Sequence, residues 1–270
     1  MSRNNAGRMT AAAATLPQMP QQSAASLPVP TEIVELPSRG ELYPPDHPWH
    51  NKSQVEIKLM TAKEEDILSN QAFMQNGSIF EKLITSVLTD GNVDSQSILS
   101  VDRNAILIAI RESGYGPDYS FNIACPSCGD NNISEFDLTE RVIATPEIDS
   151  EVTNTGRGTF LITLPKSKYQ AEVRPLTGAD ELKISKNIKS AFTVTSQLKR
   201  IIVSINGNSD SLFLDSAIEN IPAFDSKYLR KLSESLLPSV KMEFDFICSS
   251  CDHRSALEVP ITLAFFWPNK

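Results

Sequence analysis

The chain has 270 residues, 40% of them hydrophobic, and a formal net charge of −8, enough for one large domain or two small ones with a real core. No Lys/Arg cluster stands out, and because phosphate neutralisation supplies most of the affinity for nucleic acid, general DNA or RNA binding is not expected. No apolar run approaches the roughly 18 residues needed to span a bilayer, and the basic start and apolar core of a secretory signal are missing from the N-terminus.

Residues 1–30 are rich in Ala, Gln, Pro and Ser and read as a disordered arm, either idle or ordered on a partner. After Leu36-Pro37-Ser38-Arg39-Gly40 and a proline-bearing loop, Val55, Ile57 and Leu59 alternate with Glu56 and Lys58 as in a strand. Thr61 with Glu64 and Ser78 with Glu81 have capping-box spacing, so a helix is predicted after each. The second of these helices carries Ile79, Phe80, Leu83, Ile84, Val87 and Leu88. Asp102 is expected to cap a third, through Ile106, Leu107 and Ile110, ending near Gly114. Phe121 and Ile123 then lead a strand into Cys125-Pro126-Ser127-Cys128-Gly129, with a return strand near Ile133 to Leu138.

The second half repeats this order. Ala171 to Thr177 matches Val55 to Thr61 at an offset of 116, and Thr177 again precedes an acid, Asp180. A helical stripe of Leu198, Ile201, Ile202 and Ile205 answers Phe80, Leu83, Ile84 and Val87 at an offset of 118. Asp225 is expected to cap a helix through Tyr228, Leu229, Leu232 and Leu236, and it precedes Cys248 by 23 residues, as Asp102 precedes Cys125. Phe244 to Cys248 matches Phe121 to Cys125 at an offset of 123. These coincidences imply an internally duplicated α+β fold: units at 36–138 and 159–267, each running strand, helices, strand, C-x-x-C knuckle, strand. Residues 139–158, with Pro146, Asn154, Gly156 and Gly158, read as an exposed linker.

With no export signal the cysteines are expected in a reducing cytosol, where thiolates serve as metal ligands rather than disulfides. Each C-x-x-C between two strands reads as a zinc-ribbon knuckle, but one pair supplies two ligands and a closed tetrahedral site needs four. The gap of 119 residues between the pairs is too long for a local ribbon. A pseudo-two-fold packing of the units would bring Cys125, Cys128, Cys248 and Cys251 to one structural Zn2+ that staples unit to unit. Such a site has no open position for a substrate water. His253 is an alternative ligand or lies behind the sulfurs, without a counterpart in the first unit. A redox pair would open a helix, and here strands flank both motifs. A metal-free pair of knuckles is the remaining alternative.

Other candidates are weaker. His47 and His50 sit in a proline-rich loop and read as an exposed turn rather than a metal or catalytic site. Glu64-Glu65-Asp66 suits the first turn of a helix, and Gly114-Tyr115-Gly116 reads as a helix stop. No nucleophile-elbow, zincin or Walker motif appears, so no enzyme is expected. Val259 to Pro268 is densely apolar and reads as a strand closing the second unit's core, with a partner-binding anchor as the rival.

Leu36-Pro37-Ser38-Arg39-Gly40 with Leu42-Tyr43, the run Val55 to Leu68, Arg111 to Gly116, Cys125 to Gly129 and the ending Phe265-Phe266-Trp267-Pro268 together resemble the baseplate hub protein family of T-even-like contractile-tailed bacteriophages. The likeness covers nearly the whole chain after the arm. It implies a virion or assembly protein made in the bacterial host cytoplasm and destined for the tail baseplate. Other tail and hub proteins are its implied partners; a rigid stapled surface further suggests copies of the chain itself around the tail axis, while composition and motifs lead to no expected small-molecule substrate, nucleic acid or membrane anchor. A zinc-ribbon assembly chaperone absent from the virion is the competing reading, and a zinc-dependent nucleic-acid factor a third.

Overall fold

The computed structural model describes residues 28–146, 152–186 and 193–267. The expected arm, 1–30, lies outside them except for Pro28, Val29 and Pro30. In the first half, strand β1 (Thr31–Glu35) pairs antiparallel with β2 (Gln54–Lys58). Alternation in β2 buries Val55 and Ile57 and leaves Gln54, Glu56 and Lys58 outside, as the period-2 pattern requires. Helices α1 (Ala62–Ser69), α2 (Gln71–Gln75), α3 (Ile79–Val87) and α4 (Ser100–Tyr115) follow, then the hairpin β3 (Asp118–Ala124) and β4 (Asn131–Asp137).

Thr61 closes the start of α1 by donating its N–H to the Glu64 carboxylate at 3.0 Å. Asn70 separates α1 from α2, its Oδ1 accepting from Ala72 N and Phe73 N at 3.0 and 3.2 Å. The Ser78–Glu81 capping box does not form. Ser78 Oγ turns back to Asn76 Oδ1 and Glu81 accepts from Gln96 Nε2 at 2.8 Å, so both groups are taken by loop contacts. The predicted stripe of α3 does bury Ile79, Leu83, Ile84 and Val87.

Two expected helix caps are corrected. Asp102 lies inside α4 and accepts from Ser38 N, Ser38 Oγ and Tyr43 Oη at 3.0, 2.6 and 2.8 Å. It therefore satisfies the Leu36–Tyr43 loop, not its own helix. Burial raises its carboxyl above the usual range, although the bonds from Ser38 and Tyr43 lower it. Asp225, inside its own helix, likewise accepts from Lys166 N and Ser167 N, each at 2.8 Å. In the Leu36–Tyr43 loop Gly40 has φ +73°, and a Cβ there would stand 2.3 Å from Lys52 N, so only glycine fits.

The second half opens on β6 (Val152–Asn154), β7 (Phe160–Thr163) and β8 (Gln170–Val173), followed by α5 (Gly178–Lys186), α6 (Val194–Ile201) and β9 (Ile202–Ile205). The four strands form one antiparallel sheet in the order β6-β7-β8-β9. The predicted helical stripe through Ile205 thus breaks after Ile201: β-branched Ile202, Val203 and Ile205 find an open edge on β8, and Asn206-Gly207, both at positive φ, turn the chain. Helices α7 (Ser211–Glu219) and α8 (Ala223–Ser235) complete the helical layer. The strand β10 (Ser239–Lys241) and the hairpin β11 (Glu243–Ile247) and β12 (Arg254–Glu258) follow.

Within the expected linker, 139–158, residues 147–151 lie outside the described residues; of the rest, Val142–Ala144 form β5, which pairs with β10, and Val152–Asn154 form β6. The Leu99–Thr177 bridge, bonds from Ser100 N to Leu176 O and Gly178 N to Ile98 O (2.9 Å each), and the Arg103–Glu181 ion pair at 2.9 Å also join the halves. The apolar ending is a 3-10 helix (Leu263–Phe266), not a strand, and it seats Phe265 and Phe266 fully buried against the first half. Phe265 meets Tyr119 at 4.9 Å and Phe266 meets Phe80 at 5.9 Å between ring centroids. Buried Arg111 donates to Phe265 O at 2.8 Å. The pair belongs to a shared core running from Val34 to Phe266 and is not free to anchor a partner.

Candidate metal centre

Each C-x-x-C lies at the tip of a hairpin, and the two tips are built alike. Cys125 N donates to Asp130 O at 2.8 Å and Gly129 N to Cys125 O at 2.9 Å. Cys248 N donates to His253 O at 2.9 Å and Asp252 N to Cys248 O at 3.1 Å. Both turns need a left-handed residue, supplied by Gly129 (φ 80°) and Asp252 (φ 53°), residue types that visit this region more readily than most. Strand register repeats too: Ile123 faces Asn132 as Phe246 faces Ser255. Ser127 N and Ser250 N each donate to the first sulfur of their own motif at 3.4 Å.

Phe121 and Phe244 meet edge to face at 5.3 Å and hold the hairpins together beneath the tips. The four sulfur atoms then lie within 4.8 Å of one another. Cys125 and Cys251 share a sulfur hydrogen bond at 3.7 Å, and Cys128 and Cys248 share one at 3.6 Å. A tetrahedron of sulfurs with metal–sulfur bonds of ~2.3 Å has edges of about 3.8 Å, so these separations already suit an ion. Cys125 and Cys248 are buried, whereas Cys128 and Cys251 are exposed.

The electrostatics favour a cation. Burial raises the Cys248 thiol, but the N–H groups of Ser250 and Cys251 and the Cys128 thiol outweigh it and bring it down to about 6. At Cys128 a bond from Asp130 lowers the thiol. Partial desolvation and hydrogen bonds with the other three cysteines prevail and push it up to about 12. Cys128 and Cys248 are thus displaced in opposite directions; a bound divalent ion would favour the thiolate form of its ligands.

Asn132 was not legible as a site residue. It is buried on β4, and its Oδ1 accepts from Ser249 N and Ser249 Oγ at 2.8 Å each. Its Nδ2 donates to Asp130 O at 2.9 Å and to Cys248 Sγ at 3.6 Å. One amide therefore ties the first hairpin to the tip of the second. Only Asn132 among three consecutive Asp/Asn residues faces inward, a fact that sequence spacing does not carry.

The other candidates stand apart from the cluster, which among the described residues comprises the four cysteines alone. His253 contributes its backbone carbonyl to the second turn. His47 stacks on Tyr43 at 4.2 Å with Nε2 2.9 Å from Ser97 Oγ, and His50 Nδ1 lies 2.8 Å from Tyr43 O. Both histidines are thus partly buried members of a structured loop. Glu64 is buried between Thr61 and Ser86.

The architecture defines a mixed α/β protein whose two hairpins gather four thiols able to hold a metal ion. The family model described as T4 bacteriophage base plate protein matches residues 30–267, and the chain belongs to that family. No curated protein and no solved structure matches it. Among the described residues no helix is long and apolar enough to cross a membrane.

Proposed function

We propose that the chain is a non-enzymatic structural protein of the baseplate hub of a contractile phage tail, its halves stapled by one structural zinc ion on Cys125, Cys128, Cys248 and Cys251. The family match over residues 30–267 carries the baseplate role. Zinc is favoured by an all-sulfur donor set with near-tetrahedral spacing. Four thiolates leave no coordination position for a substrate, so the ion would act in folding rather than catalysis.

An internal duplication accounts for the repeated architecture. It is supported by the like register of the two hairpins, by Thr177 N donating to Asp180 as Thr61 N does to Glu64 (3.0 Å each), and by the Asp102 and Asp225 loop contacts. The ion would then sit at the meeting point of two equivalent hairpins. A protein joined by an ion, a strand pair and a C-terminal wedge presents a fixed surface, which suits contacts with other hub and tail proteins, including its own copies around the tail axis.

A groove of about 840 Å³ beside the hairpins is lined by six acidic residues, Asp118, Glu135, Asp137, Glu140, Glu243 and Asp245, against one cation, Arg111, with Ser120 and aromatic side chains between them. Such a surface repels phosphates and weighs against a nucleic-acid factor. The role is tested in phage carrying Cys125→Ser and in purified wild-type tails analysed by mass spectrometry. The reading expects the protein in wild-type baseplates and a loss of complete baseplates in the variant. Its absence from finished tails would transfer the function to an assembly chaperone.

A further inference from the structure

We propose that the four-cysteine cluster is also a peroxide-modifiable site, at which loss of the metal is followed by two disulfides across the hairpins, Cys125–Cys251 and Cys128–Cys248. The inference deepens the reading of the cluster as a metal centre and rests on it. A tail that leaves a reducing cell meets oxidants, so the fate of its thiols outside the cell is a chemical question.

Two observations select this pairing. Close sulfur–sulfur contacts run between the hairpins, Cys125 to Cys251 at 3.7 Å and Cys128 to Cys248 at 3.6 Å. Each also joins one exposed sulfur to one buried sulfur: Cys251 with Cys125, and Cys128 with Cys248. When the exposed member is oxidised its buried neighbour across the hairpins resolves it, and the reverse order gives the same disulfide. The exposed sulfur attacks one peroxide oxygen, the O–O bond breaks, water leaves and a sulfenic acid forms. The buried thiolate then attacks that sulfur, the S–S bond forms, the S–O bond breaks and a second water leaves. Per disulfide, two thiols and one hydrogen peroxide give two waters. Closure from 3.6–3.7 Å to a bond of about 2.05 Å requires a shift of about 1.6 Å shared between two side chains. The product keeps the halves joined after the ion has gone.

The full-length protein, reduced, stripped of metal by a chelator and desalted, is treated with hydrogen peroxide, and the monomer is digested with trypsin without reduction. Peptides 112–141 and 242–254 hold one motif each. The proposal expects them joined by two disulfides in a monomeric chain, and fragmentation to assign Cys125 to Cys251 and Cys128 to Cys248. In Cys251→Ser the Cys128–Cys248 link is expected to persist. Disulfides confined to each C-x-x-C, links only between chains, or sulfinic and sulfonic acids without disulfide would overturn it. Zinc content, measured separately before stripping, distinguishes this outcome from failure of the metal reading: a zinc-free protein that still forms the cross-hairpin pairs would sink only the latter.

Discussion

Asn132 and Ser255 occupy matching positions in the two hairpins, yet only Asn132 is committed to hydrogen bonds. Removing its amide in Asn132→Ala would strand Ser249 N–H and one contact to Cys248 Sγ. We expect a loss of about 1–3 kcal/mol in denaturant unfolding and, where the amide orients a ligand, roughly 10–100-fold weaker metal binding in a chelator competition. Ser255 Oγ is buried without a partner, so Ser255→Ala is expected to be neutral or slightly stabilising. Equal effects of the two changes would contradict the assignment. At Asp180, burial raises the carboxyl, but bonds from Arg174 at 2.7 and 2.9 Å and from Thr177 N at 3.0 Å prevail and hold it below the usual carboxylate range. A depressed folded value means the stabilisation is full above the unfolded value and is lost as pH falls through the lower folded one. Asp180→Asn should therefore flatten the acid limb of a stability–pH curve below about pH 4 while lowering stability at neutral pH; an unchanged limb would refute the role.

Between elements, the close approach of the Leu36–Tyr43 loop to residues 49–52 depends on Gly40. Gly40→Ala is expected to cost more than about 1 kcal/mol, because the residue must hold a positive φ and its Cβ meets backbone atoms. A thermal melt within error of wild type would contradict this. Elements with a strong local pattern were legible in the sequence: β2 by alternation, α3 by its apolar stripe, and the hairpin tips by Cys-x-x-Cys between short strands. The four ligand candidates followed from the repeat, since neither pair closes a site alone. What stayed hidden depends on distant partners. Three-residue β5 finds its partner in β10, nearly a hundred residues away, and β9 looks helical until β8 offers an edge. Asp102 and Asp225 have the spacing of caps, but tertiary packing redirects their carboxylates to loops. The Phe265-Phe266 ending carries no period, and its seat is a hole in the other half.

At the scale of the molecule, the halves are interdependent. Arg111 donates to Phe265 O, Gly116 O and Asp118 O at 2.8, 2.7 and 2.9 Å, so the end of the chain is clamped onto the first half. Fragments cut between residues 146 and 152 are expected to be poorly folded alone and to recover native-like dispersion in NMR spectra only when mixed with metal present. Two independently folded fragments would contradict a shared core. Arg111→Met would leave three carbonyls without their donor and is expected to cost about 3 kcal/mol or more, read as a lower denaturation midpoint.

The most direct test of the shared staple is the zinc content of purified full-length monomer by elemental analysis, for wild type and for Cys125→Ser. The account predicts one zinc per wild-type chain and its loss when one hairpin alone is altered, although Cys248 and Cys251 remain intact. No zinc in freshly purified reduced protein, or undiminished zinc in Cys125→Ser, would contradict it.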